Sequence, residues 1–373
     1  MATPKKPTWN ASLYASHRPV YPPKLFDQIL EFHRQKGGQF DHALDLGCGT
    51  GQASQYLRGR FKRVTCVDPG ATMIESAKKA LVGDYESRSN SKGQHDTTYT
   101  FCVSPAEDLH QAVPEDGTVD LVIAATSCHW FDMTKVWPEI GRILRKGGTA
   151  AFWSYVECLL PAFPSTERLI KEYGGFEEYV TASTNFLDTI GQYYPRPQKT
   201  RAERFLVDLP SPEEVLGPQS GEGCLVDFER RYFTGPYPIP QRKTNEVEDP
   251  AERKVYPVIM SLNWTWLQLL GHIRTWSAHN AYQEQHPDDL NAPEDTQFLE
   301  EDLDAIRGTS YDESFIRGGD VSIRFWKNLR EAAARDIAVS SSKGGNGEVD
   351  GGVKLLDKIT VDFPMPLLLV GKS

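Results

Sequence analysis

The residues best suited to chemistry are two aspartates and three glycines in the first fifth of the chain. Asp45-Leu-Gly-Cys-Gly-Thr-Gly51 reads as the turn between a strand and a helix that opens near Gln52. Glycines in such a turn let the backbone pass close beneath a ligand, since no Cβ stands in the way. The spacing is GxGxG rather than the GxGxxG of dinucleotide folds, and no Gly-Lys-Ser/Thr follows, so a phosphate cradle is disfavoured. The Asp45 carboxylate would repel a pyrophosphate but suits a ligand with an ammonium or sulfonium group. Asp68 ends the next apolar run, 23 residues after Asp45. There a carboxylate can accept hydrogen bonds from both hydroxyls of a ribose. Together these residues point to a positively charged nucleoside without phosphates.

The elements that must position them alternate in the manner of βαβ units around a mostly parallel sheet. Leu25, Ile29, Phe32 and His33 predict an initial helix, and strands are expected at 42–46, 63–67, 98–103, 119–124 and 149–154. Helices are expected at 71–81 and 135–145, and residues 83–97 read as a polar surface insertion. After Val156 the rhythm breaks into Pro, Gly, aromatic residues and acidic runs at 246–252 and 288–304, the latter read as solvated faces. Leu262, Trp266, Leu269, Ile273 and Trp276 form one helical apolar stripe. Ser340–Gly352 reads as a loop, and 354–361 and 367–370 as strands returning to the edge of the first sheet. The organisation expected is a core at 1–156, a helical and aromatic cap with part of the sheet edge at 157–346, and terminal strands at 347–373.

Composition narrows the function classes. The chain has 373 residues, 39% hydrophobic and 25% charged, so it has ample material for a buried core. Lys and Arg number 41 against 51 Asp and Glu, a net charge of -10, which argues against nucleic acid or an acidic membrane as the main partner. No apolar stretch approaches the roughly 20 residues of a membrane span. Met1-Ala-Thr-Pro-Lys-Lys-Pro lacks a following hydrophobic run, and the chain is expected to be cytoplasmic. The six cysteines include no CxxC pair, so no metal site is expected, and Cys66 and Cys102 read as small hydrophobes.

The glycine turn with Asp68 resembles the class I S-adenosylmethionine-dependent methyltransferases. More particular motifs are Tyr14-Ala-Ser-His-Arg-Pro-Val-Tyr-Pro22, Ser127-Cys-His-Trp-Phe-Asp132 and Arg274-Thr-Trp-Ser-Ala278. In combination they resemble the trans-aconitate methyltransferase-like group, which includes the cantharidin-resistance methyltransferases. The resemblance covers about residues 10–156 well and the cap only through isolated motifs. It implies a doubly wound, seven-stranded, Rossmann-like α/β fold, S-adenosylmethionine as methyl donor, and O-methylation of a small carboxylic acid. It also implies that Gly47, Gly49 and Gly51 approach the methionine part and Asp68 holds the ribose. Glu107 or Asp108 would lie by the adenine, with Ala124 and Ala125 lining the methyl's exit.

A carboxylic acid is already ionised at neutral pH, so its methylation needs cations and hydrogen-bond donors more than a base. Arg18, His129 and Arg274 are the candidates to contact it, with Tyr21, Trp130 and Trp276 as walls near the sulfonium. Each has a structural alternative. Arg18 either serves the pocket, the methionine carboxylate included, or pairs with Asp45 or another acid. His129 stands at the carboxyl edge of the sheet, where ligands bind, or is satisfied by backbone. Arg274 contacts the acceptor or snorkels outward from the stripe. The partner expected is a small acceptor, a carboxylate or another oxygenated small molecule, with the chain as a monomer. The alternatives are a protein acceptor or a cofactor-binding protein that no longer methylates.

Overall fold

The computed structural model describes residues 17–83, 97–179, 189–218, 221–243, 250–342 and 352–373. Several sequence readings, the one of Met1–Pro7 among them, therefore lie wholly or partly outside the described residues. The others include Tyr14–Ser16 of the first motif, most of the 83–97 insertion, and most of the 340–352 loop with the 346/347 boundary. The acidic run at 246–252 is described only from 250 onward.

In chain order the core begins with α1 (Pro23–Gln35), β1 (His42–Leu46), β2 (Arg63–Asp68), α2 (Ala71–Lys78) and β3 (Thr98–Val103). It continues with β4 (Val119–Ala125), α3 (Met133–Ile143) and β5 (Leu144–Trp153). The cap adds α4 (Ser165–Tyr173), α5 (Gln198–Glu203), α6 (Pro212–Leu216), β6 (Leu225–Phe233), β7 (Lys254–Tyr256) and β8 (Ser261–Thr265). Then come α7 (Trp266–Arg274), α8 (Ser277–Gln285), α9 (Leu299–Ile306), α10 (Val321–Ser342), β9 (Lys358–Asp362) and β10 (Met365–Lys372). Among the described residues no helix is long and apolar enough to cross a membrane.

The main sheet has eight strands in the order β3-β2-β1-β4-β5-β10-β6-β7. The first five run parallel, and β10 pairs antiparallel with both β5 and β6. The expected doubly wound, Rossmann-like α/β fold is borne out, but seven strands become eight because β6 and β7 extend the edge beyond β10. Only one of the two terminal strands returns to this sheet. β9 instead pairs with β8 in a separate two-stranded sheet, since Phe363 and Pro364 turn the chain before β10 begins.

Every residue of β1 and all but the last of β4 are buried, as expected for strands covered on both faces. Side-chain alternation divides the core accordingly. Leu121 and Ile123 share one cluster with Leu25, Phe26 and Ile29 of α1 and with cap residues such as Trp266 and Trp326. Val122 and Ala124 face the other cluster, with Val136, Trp137 and Ile140 of α3. Cap and core thus share one continuous apolar interior. The expected apolar stripe is broken across three elements: Leu262 lies in β8, the helix covers only 266–274, and Trp276 precedes α8. All six cysteines are free.

Candidate cofactor and acceptor site

The glycine turn leaves the tip of β1 and is fastened to its neighbours by backbone bonds. Gly47 N–H and Cys48 N–H both donate to Val67 O, at 2.7 and 3.0 Å. Gly47, Gly49 and Gly51 have φ of 66°, 54° and 87°, in the left-handed region that side chains resist. A Cβ on Gly47 would also stand 2.5 Å from the Cβ of Ser127, whose hydroxyl donates to Leu46 O at 2.7 Å. A Cβ on Gly49 would meet nothing within 4 Å, so the space above the middle of the turn is open to a ligand. No α-helix follows at Gln52; the chain makes only a 3₁₀ turn at Ser54–Leu57.

The two aspartates have different environments. Asp68 accepts from Gly49 N–H (3.0 Å) and Gly70 N–H (2.8 Å), one on each oxygen, and burial raises its pKa. Each of those oxygens keeps a second lone pair, which is what two ribose hydroxyls require. Asp45 has no exposed surface and takes Ser54 Oγ–H at 2.5 Å on Oδ2. Its Oδ1 is buried and has no hydrogen-bond partner among the described residues. Burial above all, with the nearby Asp68 charge adding to it, pushes the Asp45 carboxyl up to about 7. Asp45 therefore lies beneath the turn with no surface that a ligand could touch. A buried, incompletely satisfied carboxylate beneath an open glycine turn fits a cationic nucleoside.

The adenine-side candidates separate. Glu107 is half-buried and its Oε1 accepts from Asp132 N–H at 2.9 Å. Asp108 is exposed and engages the surface His110, 3.4 Å from its Nδ1. Asp108 and His110 cluster with Glu139, but Glu139 is already held by Arg142 Nε and Nη2 and by Leu109 N–H. Ala124 is fully buried, facing α3, whereas Ala125 is half-buried on the opposite side of the sheet. Strand alternation thus leaves Ala125, not Ala124, as the alanine of this pair that has exposed surface.

The acceptor side is built at the β4 tip. Thr126 has a φ of 52°, bonds Trp153 O through its amide at 2.8 Å, and holds the Tyr21 hydroxyl at 3.0 Å. Next comes a 3₁₀ turn, Cys128–Trp130. Arg201 of α5 fastens it, donating to His129 O and Phe131 O, both at 3.2 Å. The ring of His129 is half-buried, and its Nδ1 lacks a partner among the described residues. Burial, reinforced by Lys199 and Arg201, lowers its pKa to about 3, so the imidazole is neutral at physiological pH. Trp130 lies beside it, ring centroids 5.5 Å apart. Arg18 donates to Tyr155 Oη (2.9 Å) and Thr275 O (3.0 Å), tying the N-terminal segment to the residues after β5 and to the cap.

Arg274 and Trp276 do not join this group. Arg274 donates to Ser322 Oγ (3.0 Å), Phe315 O (2.7 Å) and Asp320 Oδ2 (3.2 Å), bracing α7 against α10. It does not snorkel, because Asp320 and Ser322 supply partners inside the cap. Trp276 is 3% exposed and packs against Tyr173, His272 and Phe325. Lys199, by contrast, went unnoticed in the sequence. Buried in α5, it pairs with Glu157 and lies over the rings of Tyr194 (4.4 Å) and Phe176 (4.8 Å). Burial brings its pKa down to about 7. The only trace in the sequence is the i,i+4 spacing of Lys199 and Glu203, which looks like an ordinary solvated pair.

Residues 44–152, which hold the turn, both aspartates and the β4 tip, match the family model for a methyltransferase domain. This part of the chain is similar to methyltransferase domains. The Saccharomyces cerevisiae protein named "probable S-adenosylmethionine-dependent methyltransferase CRG1" is 32% identical over 181 residues, 48% of this chain and 57% of that one. A Dictyostelium discoideum protein carrying a methyltransferase name is 28% identical over 196 residues, 52% of this chain and 62% of that one. The Aspergillus aculeatus methyltransferase AacuQ is 31% identical over 146 residues, 39% of this chain and 42% of that one. The chain thus spans about half the length of the curated relatives it matches. The expectations of a methyltransferase and of S-adenosylmethionine as its cofactor agree with these matches; the family model itself matches residues 44–152 and none of the cap.

Proposed function

We propose that this chain moves the methyl group of S-adenosylmethionine onto an oxygen of a small acceptor, a carboxylic acid of the trans-aconitate kind being the class the site suits best. The observation that carries the reading is the glycine turn locked to Asp68, with the unsatisfied Asp45 oxygen beneath it. S-adenosylmethionine, when bound, supplies an electrophilic methyl on a sulfonium. The chain's own part is to bind and orient, because such a displacement needs alignment and exclusion of water more than proton transfer. Asp68 takes the ribose hydroxyls, the 47–51 backbone passes beneath the methionine part, and Glu107 rather than Asp108 stays near the adenine edge.

On the acceptor side Arg201 and Lys199, whose charge Glu157 offsets, both act on His129, and Arg18 adds a second guanidinium near Lys199. That field favours an anionic acceptor. The neutral His129 ring offers a hydrogen bond without carrying charge, while Tyr21 and Trp130 wall the space. The domain limits in this reading are a core to 156 and a cap from 157 that chooses the acceptor.

Calorimetry with S-adenosylmethionine and S-adenosylhomocysteine tests the first half of the reading; heat is expected with both. Labelled donor with a panel of small carboxylic acids and phenols, trans-aconitate first, tests the second. Label appearing only in protein would overturn the small-molecule acceptor.

A further inference from the structure

Five described residues other than glycine have φ in the left-handed region, and Thr126, at 52°, is the only one of them branched at Cβ. Branched side chains resist that conformation most, so it persists only where the surroundings enforce it. Thr126 directly follows β4, which runs parallel to β1, and between these two strands the chain order of the sheet reverses. Open α/β sheets bind ligands outside the carboxyl ends of the strands at such a point.

Two bonds hold the residue in place. Its amide donates to Trp153 O at 2.8 Å, and its Oγ1 shares a hydrogen bond with the Tyr21 hydroxyl at 3.0 Å. Tyr21 is itself anchored by other contacts. Its ring stands at 90° to that of Trp153 with centroids 5.5 Å apart, and its carbonyl accepts from the Tyr56 hydroxyl at 2.6 Å. Trp153 therefore supplies both the carbonyl that takes the Thr126 amide and a ring that seats Tyr21. Beyond Thr126 the chain packs Ser127 against Gly47 and enters the Cys128–Trp130 turn. Arg201 fastens the far end of that turn through His129 O and Phe131 O, and Thr126 forms its near end.

Glycine would adopt a φ of 52° without steric cost and could keep the amide bond. What threonine adds is the hydroxyl. We propose that Thr126 is a positioning residue for methyl transfer, its hydroxyl hanging the near end of the turn on Tyr21 so that His129 and Trp130 stay aimed at the acceptor. This role rests on the transfer reading above and extends it to a residue that acts through the turn, without touching the cofactor.

The test compares Thr126→Gly, Thr126→Ser and Tyr21→Phe in the full chain by melting, by calorimetry with S-adenosylhomocysteine, and by transfer from labelled donor to the panel of acids and phenols. Thr126→Gly is expected to lower kcat at least tenfold while S-adenosylhomocysteine affinity stays within threefold. Its Tm should stay within about 3 °C of wild type, because relief of the backbone offsets the lost hydrogen bond. Thr126→Ser, which restores the hydroxyl, is expected to recover transfer to within threefold of wild type. Tyr21→Phe should lower kcat as well, and combining it with Thr126→Gly should cost no more than a further twofold, since both changes remove the same bond. Unchanged kcat in Thr126→Gly, a Ser variant as poor as Gly, or losses that multiply in the double variant would each overturn the proposal. So would a Gly variant whose Tm and cofactor affinity fall together with its activity, because the residue would then be a structural one. A wild type that binds S-adenosylhomocysteine but labels no acceptor overturns the transfer reading and this role with it, whereas a wild type matched in transfer by Thr126→Gly removes this role alone.

Discussion

The Gly49 amide donates to Asp68 Oδ2 at 3.0 Å, joining the turn after β1 to the tip of β2. The carboxylate proposed to hold the ribose also holds the loop over which the rest of the cofactor lies. Shape of the loop and recognition of the sugar therefore depend on one side chain.

This double duty predicts different outcomes for two substitutions. Asp68→Ala removes both backbone bonds and the ribose acceptors, and charge-assisted bonds are worth about 1.5–3 kcal/mol each. A loss of at least tenfold in S-adenosylhomocysteine affinity is expected by calorimetry. Asp68→Asn keeps one acceptor oxygen and replaces the other with a donor facing either Gly49 N–H or Gly70 N–H, so it should also weaken binding, though less than Ala. Wild-type affinity in both variants would remove Asp68 from the site.

Asp45 predicts a pH effect of unusual sign. Its folded pKa, about 7, lies above the ordinary carboxylate value, so the native state holds a proton that the unfolded state releases between pH 4 and 7. Its contribution to stability is full at the acid end and declines as pH rises through that window, by an amount on the order of a few kcal/mol. His42 and His279, lowered to about 4, and His129, lowered to about 3, act oppositely and favour stability above pH 6.5. Subtracting the melting curves of Asp45→Asn isolates the first effect. Above pH 7 the ligand-free variant should be at least as stable as wild type yet bind S-adenosylmethionine more weakly; a pH-independent difference in Tm would contradict the assignment.

The sheet and its turn were legible because they follow local rules. Apolar runs mark strands buried on both faces, and three glycines in seven residues mark a turn in the left-handed region. Asp68 was readable from its strand-end position alone. The cap was less legible, since its side chains are partnered by residues far away in the chain. Arg274 owes its role to Asp320 and Phe315 from another part of the cap. Lys199 gains its burial from Glu157, Phe176 and Tyr194, none of which shares its helix. The failed apolar stripe has a similar cause: the 3,4 spacing continued through Leu262 and Trp276 while β8 pairing and the break after Arg274 divided the backbone.

His129 provides a test of role that stability does not confound. Its side chain stands at the β4 tip and its backbone, not its ring, is the group fastened by Arg201. His129→Ala should leave S-adenosylhomocysteine affinity within twofold and lower transfer at least tenfold, with His129→Asn recovering part of the loss by restoring a hydrogen bond. Because the ring stays neutral, transfer by the wild type should show no step near pH 6.5 that the Ala variant lacks. Equal losses in cofactor binding and transfer would place the residue in the cofactor site instead.

Arg274 separates a brace from a ligand. A guanidinium held by Asp320, Ser322 and Phe315 is expected to cost about 3–5 kcal/mol when removed, because Asp320 is left buried with a weakened charge balance. Arg274→Ala should therefore lower Tm by several degrees and leave the cofactor Kd unchanged. Arg274→Lys should recover little, since one ammonium cannot reach three partners that a planar fork spans. If the Ala variant kept its Tm and lost acceptor KM alone, the residue would belong to the pocket and the brace would lie elsewhere in the cap.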